Sequence, residues 1–175
     1  MSAGYFQTEA YFQARFAAAG RRLACKAESI EAWQVWRAEL QGKLRQLLGV
    51  DRMIPTAANP RITETVQLDG YRRERVEIDT EPGITMPFYV LVPDGLTGPV
   101  PAIIAPHGHD SGGKYAPAGH RDIPTMQETI DEHNYVDGVQ AARRGYVAFC
   151  PDARGFGERR EPLNEGPEKV RMSSC

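Results

Sequence analysis

Two short apolar runs, PAIIAP at residues 101–106 and YVAFCP at 146–151, constrain the fold of this chain more than any other feature. Each run is apolar on both faces and too short for a typical helix, which predicts strands buried inside a parallel sheet. A glycine-rich loop follows the first run, and residues 129–144 carry the apolar spacing of a crossover helix. Thr129 is the predicted N-cap of this helix, and Gly145 is its predicted left-handed end. The pattern therefore predicts a parallel unit of an α/β fold.

The first 50 residues predict two helices ahead of the sheet. Residues 8–24 place apolar side chains on one stripe, with Thr8 as the predicted N-cap. A second helix is predicted to begin after Ser29 and to end at Gly49. We expect the aromatic side chains of both helices to pack on a core or a partner subunit rather than to bind a ligand.

Between the helices and the apolar runs, the sequence predicts a linker and a meander of strands. Prolines, alanines and Asn59 in residues 51–62 are typical of a linker. Three runs with strand-like patterns follow, separated by Asp-Gly and Pro-Gly turn signals, at residues 62–68, 74–80 and 86–93. The predicted organisation is a helical segment, a linker, part of an α/β domain and an irregular tail, at residues 1–50, 51–62, 63–160 and 161–175.

Charge and cysteine usage exclude several classes of partner. The formal net charge is −2 and both signs are interspersed, so neither nucleic acid nor an anionic membrane is a predicted partner. No stretch approaches the roughly 18 apolar residues of a transmembrane helix. The three cysteines are odd in number and far apart, and Cys150 lies inside an apolar run where a thiol acts as a small hydrophobe. We therefore expect no disulfide framework and a cytoplasmic location.

A short motif follows each apolar run: His107-Gly108-His109 after the first and Asp152-Ala153-Arg154-Gly155-Phe156-Gly157 after the second. Their order and spacing resemble the α/β-hydrolase superfamily, most closely its esterase and dienelactone-hydrolase-like branch, which includes acetyl-xylan-esterase-like proteins. The resemblance extends from about residue 76 to residue 160. It implies an α/β-hydrolase-type sheet, in which an antiparallel meander leads into parallel strands, and an activity on carboxylic esters, with short acyl esters or acetylated sugars as substrates.

The resemblance also implies roles for the glycine-rich loop. The backbone N–H of His109, directly after Gly108, would donate one hydrogen bond to the oxyanion of the tetrahedral intermediate. His107, Ser111 and Arg154 are the predicted substrate contacts. The alternative interpretation of the loop is a connection that only turns the chain, because glycine is common wherever backbone freedom is needed.

The second motif has a mainly structural interpretation. Asp152 and Arg154 can hydrogen-bond neighbouring backbone and pair with each other, which would hold the end of the strand. Gly155 and Gly157 are the turn residues of the same motif. We therefore predict that Asp152, Gly155 and Gly157 stabilise a tight turn.

The catalytic triad of the resembling family has no counterpart in this sequence. None of the five serines has glycine two positions before it, so the G-x-S-x-G nucleophile elbow is absent. By the resemblance, the nucleophile, acid and histidine would all follow beyond residue 175, so the chain ends before the elbow. The 175-residue chain alone is predicted to be inactive, as the N-terminal part of a serine hydrolase.

Two alternatives stay open at the level of sequence. One is an inactive remnant of the fold that serves as a binding or dimerisation module. The other is a fragment of a prolyl-oligopeptidase-like peptidase, although about 70 residues before the first secure strand are too few for a propeller domain.

No metal or organic cofactor is predicted. His107 and His109 lie on a glycine loop without a fixed scaffold, and no Cys pair or HExxH motif accompanies them. GHDSGGK lacks the ending of a phosphate-binding P-loop, and no dinucleotide fingerprint is present. The predicted partners are a small-molecule ester, bound by the completed protein, and a second copy of the chain.

Overall fold

The computed structural model describes residues 8–109 and 112–160. The chain divides into two compact units, with the boundary between Met53 and Ile54. This boundary lies inside the linker predicted for residues 51–62. Ser111 and the predicted tail at 161–175 lie outside the described residues.

The first unit contains helix α1 (Thr8–Ala19), helix α2 (Ile30–Leu48) and a single 3₁₀ turn, Val50–Arg52. Both predicted ends of α2 are confirmed, because Ser29 Oγ accepts a hydrogen bond from the Ala32 N–H at 3.2 Å and Gly49 has a left-handed φ of 68°. The first helix is shorter than the predicted 8–24, because the chain takes a left-handed φ at Gly20. No residue of either helix is buried, so the packing expected for their aromatic side chains stays a prediction.

The second unit is built on one five-stranded mixed sheet. Its strands are β1 (Arg61–Leu68), β2 (Tyr71–Glu81), β3 (Ile84–Pro93), β4 (Ala102–Ile104) and β5 (Val147–Pro151). The first three strands form the predicted antiparallel meander, and both of its turns use glycines of positive φ, Gly70 and Gly83.

The later strands enter the sheet in an order that differs from their order in the chain. The order is β1-β2-β3-β5-β4, so β5 lies between β3 and β4. It pairs antiparallel with β3 and parallel with β4, which confirms the predicted parallel unit. The fully buried strand predicted for PAIIAP is wrong, because only Ala102–Ile104 is a strand and all three residues are exposed. Among the described strands, β4 has a neighbour on one side only.

The single crossover helix predicted for residues 129–144 is also wrong. The connection forms two helices, α3 (Pro124–His133) and α4 (Asp137–Ala142). Pro124 begins α3 early, because its fixed φ suits the first helical position, and Asn134 ends it with a φ of 55°. Thr129 is therefore an interior residue of α3 rather than a cap, whereas Gly145 has the predicted left-handed φ.

The main core lies between the sheet and α4. Leu91, Ala148 and Cys150 are fully buried there, packed against Val139 and Ala142 of the helix. Cys150 is a free thiol whose pKa is raised to about 12 by burial, which confirms its predicted role as a small hydrophobe. Within the described residues, no helix combines the length and apolar character needed to cross a bilayer.

Candidate active-site edge

The loop after β4 leaves the sheet at the carboxyl end of the parallel pair. Ala105 extends the pairing past β4 through its N–H, which donates to Phe149 O at 2.8 Å. In open α/β sheets, ligands bind outside this end of the strands. The loop that carries the predicted oxyanion donor therefore begins where α/β proteins place their sites.

His107 joins this loop to the turn after β5. Its Nε2 accepts a hydrogen bond from the Ala153 N–H at 3.1 Å, and its Nδ1 lies 2.9 Å from the Gly108 carbonyl oxygen. These two contacts fit a neutral imidazole that carries its proton on Nδ1. The ring also packs on Phe156, with the centroids 4.8 Å apart. Both ring nitrogens are therefore engaged within the protein, and substrate binding by His107 stays a prediction.

Gly108 and His109 are exposed at the tip of the described loop. The His109 ring contacts the edge of Phe156, with the centroids 5.3 Å apart. The backbone N–H of His109 donates to no other described residue. A donor in this state is available to a ligand, although the second donor of an oxyanion hole follows the nucleophile in α/β-hydrolases.

A fully buried lysine holds the next part of the loop against the turn after β5. Lys114 is 0% exposed, and its Nζ lies 2.5 Å from Asp152 Oδ2 and 2.6 Å from Glu158 Oε1. The backbone N–H of Lys114 also donates to Asp152 Oδ1 at 2.8 Å. The ammonium group lies over the rings of Tyr89 and Tyr115, at 5.6 Å and 4.7 Å from their centroids. We call the group of Lys114, Asp152, Glu158 and Arg75 the ionic junction.

Asp152 is the acceptor at the centre of the ionic junction. It is 1% exposed, and its carboxylate accepts hydrogen bonds from both nitrogens of Lys114 and from the Glu158 N–H. Gly113 and Gly157 both pack directly against this carboxylate with left-handed φ angles of 75° and 53°. A Cβ at Gly157 would lie 2.6 Å from Asp152 Cγ, so only glycine fits.

Arg75 of β2 completes the ionic junction from the far side. Its guanidinium donates to both carboxylate oxygens of Glu158, at 2.6 Å and 3.1 Å, and to Glu77 at 2.7 Å. Burial alone would raise the pKa of Glu158, but the hydrogen bonds from Arg75 and Lys114 outweigh it and lower the pKa to about 2. Glu158 is therefore ionised and bridges the meander to the loop.

The predicted pairing of Asp152 with Arg154 is wrong. Asp152 pairs with Lys114, and Arg154 pairs instead with Glu81 at the end of β2. The structural role predicted for Asp152 and its turn nevertheless agrees with these contacts, since Asp152 O also accepts a hydrogen bond from Arg159 at 3.0 Å. Sequence reasoning missed Lys114, although it is the only lysine between residues 101 and 160. A buried carboxylate is stabilised by a nearby cation or hydrogen-bond donor. The position of Asp152 directly after a buried strand was therefore the signal that could have pointed to Lys114.

His120 packs on the same two tyrosine rings as Lys114, and its side chain is buried. Its Nδ1 lies 3.0 Å from Asp122 Oδ1, and its ring packs on Tyr89 and Tyr115 at centroid distances of 4.8 Å and 5.3 Å. Burial lowers the pKa of His120. Its Nε2 is buried without a partner among the residues described, so this nitrogen cannot take a proton from a nucleophile at the surface.

In the described ranges, no three His, Cys, Asp or Glu side chains are grouped closely enough to hold a metal ion. This edge of the sheet has a loop whose His109 N–H donates to no described residue, and charged and aromatic contacts hold the loop against the turn after β5. This arrangement can stabilise a developing negative charge but contains no described nucleophile with an adjacent base.

Comparisons with known proteins agree with the fold. A family model described as "Abhydrolase family" matches residues 22–166. A crystal structure from Bacteroides fragilis, of a protein provisionally assigned as an acetyl xylan esterase, matches 91% of the chain with a TM-score of 0.71 and 23% identity. The structure of a methylesterase matches 76% of the chain with a TM-score of 0.57 and 25% identity. The chain spans 40% and 27% of the lengths of these two proteins. No curated protein matches it.

Proposed function

Because the chain belongs to the Abhydrolase family, we propose that it is the N-terminal portion of a serine hydrolase that acts on carboxylic esters. The fold supports this proposal, since its mixed sheet matches the Bacteroides fragilis structure, provisionally assigned as an acetyl xylan esterase, over 91% of the chain. In this proposal the chain contributes the oxyanion loop, and the nucleophile, acid and base lie on residues outside it.

One observation carries the proposal. His109 is an exposed residue in the loop that follows β4, its N–H has no acceptor among the described residues, and the ionic junction holds the following segment in place. A preorganised donor of this kind stabilises a tetrahedral oxyanion at no cost in reorganisation when the reaction occurs.

The descriptions of the two structural relatives support a proposed substrate class. One is provisionally assigned as an acetyl xylan esterase and the other is a methylesterase, so both descriptions name small ester groups. We therefore propose short esters carried by sugars as the substrates. The free, buried thiol of Cys150 supports a reducing compartment, and a cytoplasmic location is part of the proposal.

The first experiment uses a fluorophosphonate probe and intact mass. The natural protein that contains this sequence is expected to take up one adduct, whereas the 19.4 kDa chain alone is expected to take up none. Absence of any adduct on the natural protein would refute a serine hydrolase. An adduct on the 19.4 kDa chain would place the nucleophile within it and would contradict the assignment of the triad to other residues.

The second experiment isolates the oxyanion donor. His109→Pro in the natural protein removes the backbone N–H, and His109→Ala keeps it while removing the same ring. We expect the proline variant to lose roughly 100-fold to 1,000-fold in kcat and the alanine variant to lose little. Equal losses in the two variants would show that the ring, not the N–H, matters.

A second candidate function is a non-catalytic module that dimerises through β4. The exposed side chains of Ile103 and Ile104 favour it, at 43% and 69% exposure, because an open apolar edge is a template for strand pairing. Sedimentation velocity of the chain distinguishes the two. Two results together would support the module: a stable dimer that dissociates in the Ile104→Lys variant, and a natural protein that takes up no fluorophosphonate.

A further inference from the structure

A cleft of about 500 Å³ lies beside the ionic junction, between the β2–β3 hairpin and the turn after β5. Its volume is in the range of small-molecule sites in proteins. Half of its lining residues are charged, namely Arg75, Glu77, Arg154, Glu158 and Arg159.

The two carboxylates of the cleft are already paired. Glu158 is bound by Arg75 and Lys114, and Glu77 is bound by Arg75. The N–H groups of Arg75 donate to these two carboxylates and to the Thr63 hydroxyl. These three residues are therefore paired with one another without a ligand, and together they carry a net charge of −1.

The other two arginines are not neutralised in this way. Arg159 forms no ion pair with any described carboxylate, and its hydrogen bond to Asp152 O uses only one of its five N–H groups. Arg154 has a single carboxylate partner, Glu81, and its side chain is 65% exposed. Burial and the neighbouring charge of Arg154 both lower the pKa of Arg159. The negative charge of Asp152 raises the pKa of Arg159, but Asp152 is already paired with Lys114. Arg154 and Arg159 therefore share one wall with a single ion-pair partner, Glu81, among the described residues.

We propose that this cleft is a subsite for one carboxylate group of the ester substrate, held by Arg154 and Arg159. The planar guanidinium groups suit a carboxylate, whose two oxygens accept paired N–H donors. A monoanion fits better than a phosphate dianion, because Glu77 and Glu158 line the same space and repel a second negative charge. This inference rests on the proposed function and narrows its substrates to esters of acidic sugars.

The subsite and the oxyanion loop meet at one short turn. Arg154 and Arg159 flank Phe156, whose ring contacts both His107 and His109. A substrate with its carboxylate in the cleft would therefore extend along this turn toward the His109 N–H. The same contacts would orient the ester before reaction, which lowers the entropy cost of catalysis.

The test measures binding to the 175-residue chain, so it does not depend on catalysis. Galacturonate, galactose and inorganic phosphate are titrated by calorimetry, and the Nε–H signals of arginine are followed by NMR. Galacturonate is expected to bind, and galactose, which has a hydroxymethyl group in place of the carboxylate, is expected to bind at least tenfold more weakly. Equal binding of the two sugars would overturn the proposal, and tighter binding of phosphate would overturn the assignment to a carboxylate.

Three variants locate the binding. Arg159→Gln and Arg154→Gln are each expected to weaken galacturonate binding about tenfold or more, whereas Arg143→Gln, an exposed arginine outside the cleft, is expected to change nothing. Arg154 is largely exposed, so its variant tests the subsite even if Arg159→Gln disturbs the turn. Unchanged binding in folded Arg154→Gln and Arg159→Gln would refute the subsite. Binding that follows this pattern in a protein without esterase activity would keep the subsite and refute the proposed function alone.

Discussion

Lys114 and Ile104 are ten residues apart and reverse the usual distribution of charged and apolar side chains. Lys114 is fully buried, whereas Ile104 is 69% exposed. The lysine lies where two carboxylates and two aromatic rings surround its ammonium group. The isoleucine lies on a strand that has one neighbour in the part of the chain that the structure describes.

Burial at these two positions depends on the surrounding groups rather than on the hydropathy of the side chain. A charge is tolerated in an interior when opposite charges and hydrogen bonds replace its water. An apolar side chain stays in water when no other element covers it, whatever its transfer free energy. The ionic junction and the β4 edge therefore predict opposite responses to substitution.

The largest effect is expected for Lys114→Met. It removes the cation and leaves Asp152 buried without its ion-pair partner, which should lower the free energy of unfolding by about 3–5 kcal/mol. Urea unfolding followed by circular dichroism measures the loss. Lys43→Met, at an exposed lysine of α2, is the control and should lose less than about 0.5 kcal/mol. If Lys114→Met lowers the free energy of unfolding by less than about 1 kcal/mol, the apolar packing of the methionine compensates for the lost ion pairs.

Gly157→Ala tests how tightly the junction is packed. The new Cβ would displace the Asp152 carboxylate, which three hydrogen bonds hold in place, so we expect a loss of about 2–4 kcal/mol. Gly95→Ala is a matched control, with a φ of 69° and no atom within 4 Å of the added Cβ. It should lose only about 1 kcal/mol from the left-handed backbone. Equal losses would show that Asp152 moves freely.

Acid should weaken the junction through Glu158. Its pKa is about 2 in the fold and 4.5 ordinarily, so its stabilisation is complete above pH 4.5 and is lost as the pH falls toward 2. Because the side chain is partly exposed, we expect this contribution to be about 1 kcal/mol. Unfolding free energies of the wild type and Glu158→Gln at pH 6, 4 and 3 should converge as the pH falls. If the difference in unfolding free energy between the two proteins stays constant with pH, a group other than Glu158 causes the loss of stability in acid.

The smallest effect on stability is expected for Ile104→Lys. The side chain is mostly in water, so the free energy of unfolding of the 175-residue chain should change by less than about 0.5 kcal/mol. Self-association, measured by light scattering, should decrease because a lysine on an edge strand opposes pairing with another edge. A loss above 2 kcal/mol would show that the edge is covered in solution.

Local pattern was sufficient for much of the fold. The ends of α2, the turns of the meander and the two short strands follow from side chains close in sequence: Ser29 caps its own helix, and Gly70 and Gly83 provide positive φ. The motifs after the apolar runs were sufficient to identify the family. The break in the crossover was missed because Asn134 is a weaker signal than glycine for a left-handed residue.

The strands, their parallel unit and the family could be predicted from the sequence, because they depend on periodicity and on short motifs. Three features required the folded structure: Lys114 is the buried cation of Asp152, Arg154 pairs with Glu81, and β4 is an edge strand among the described strands. Lys114 and Asp152 are 38 residues apart, and Arg75 and Glu158 are 83 apart. Ion pairs depend on distance in space, and no local pattern carries that distance.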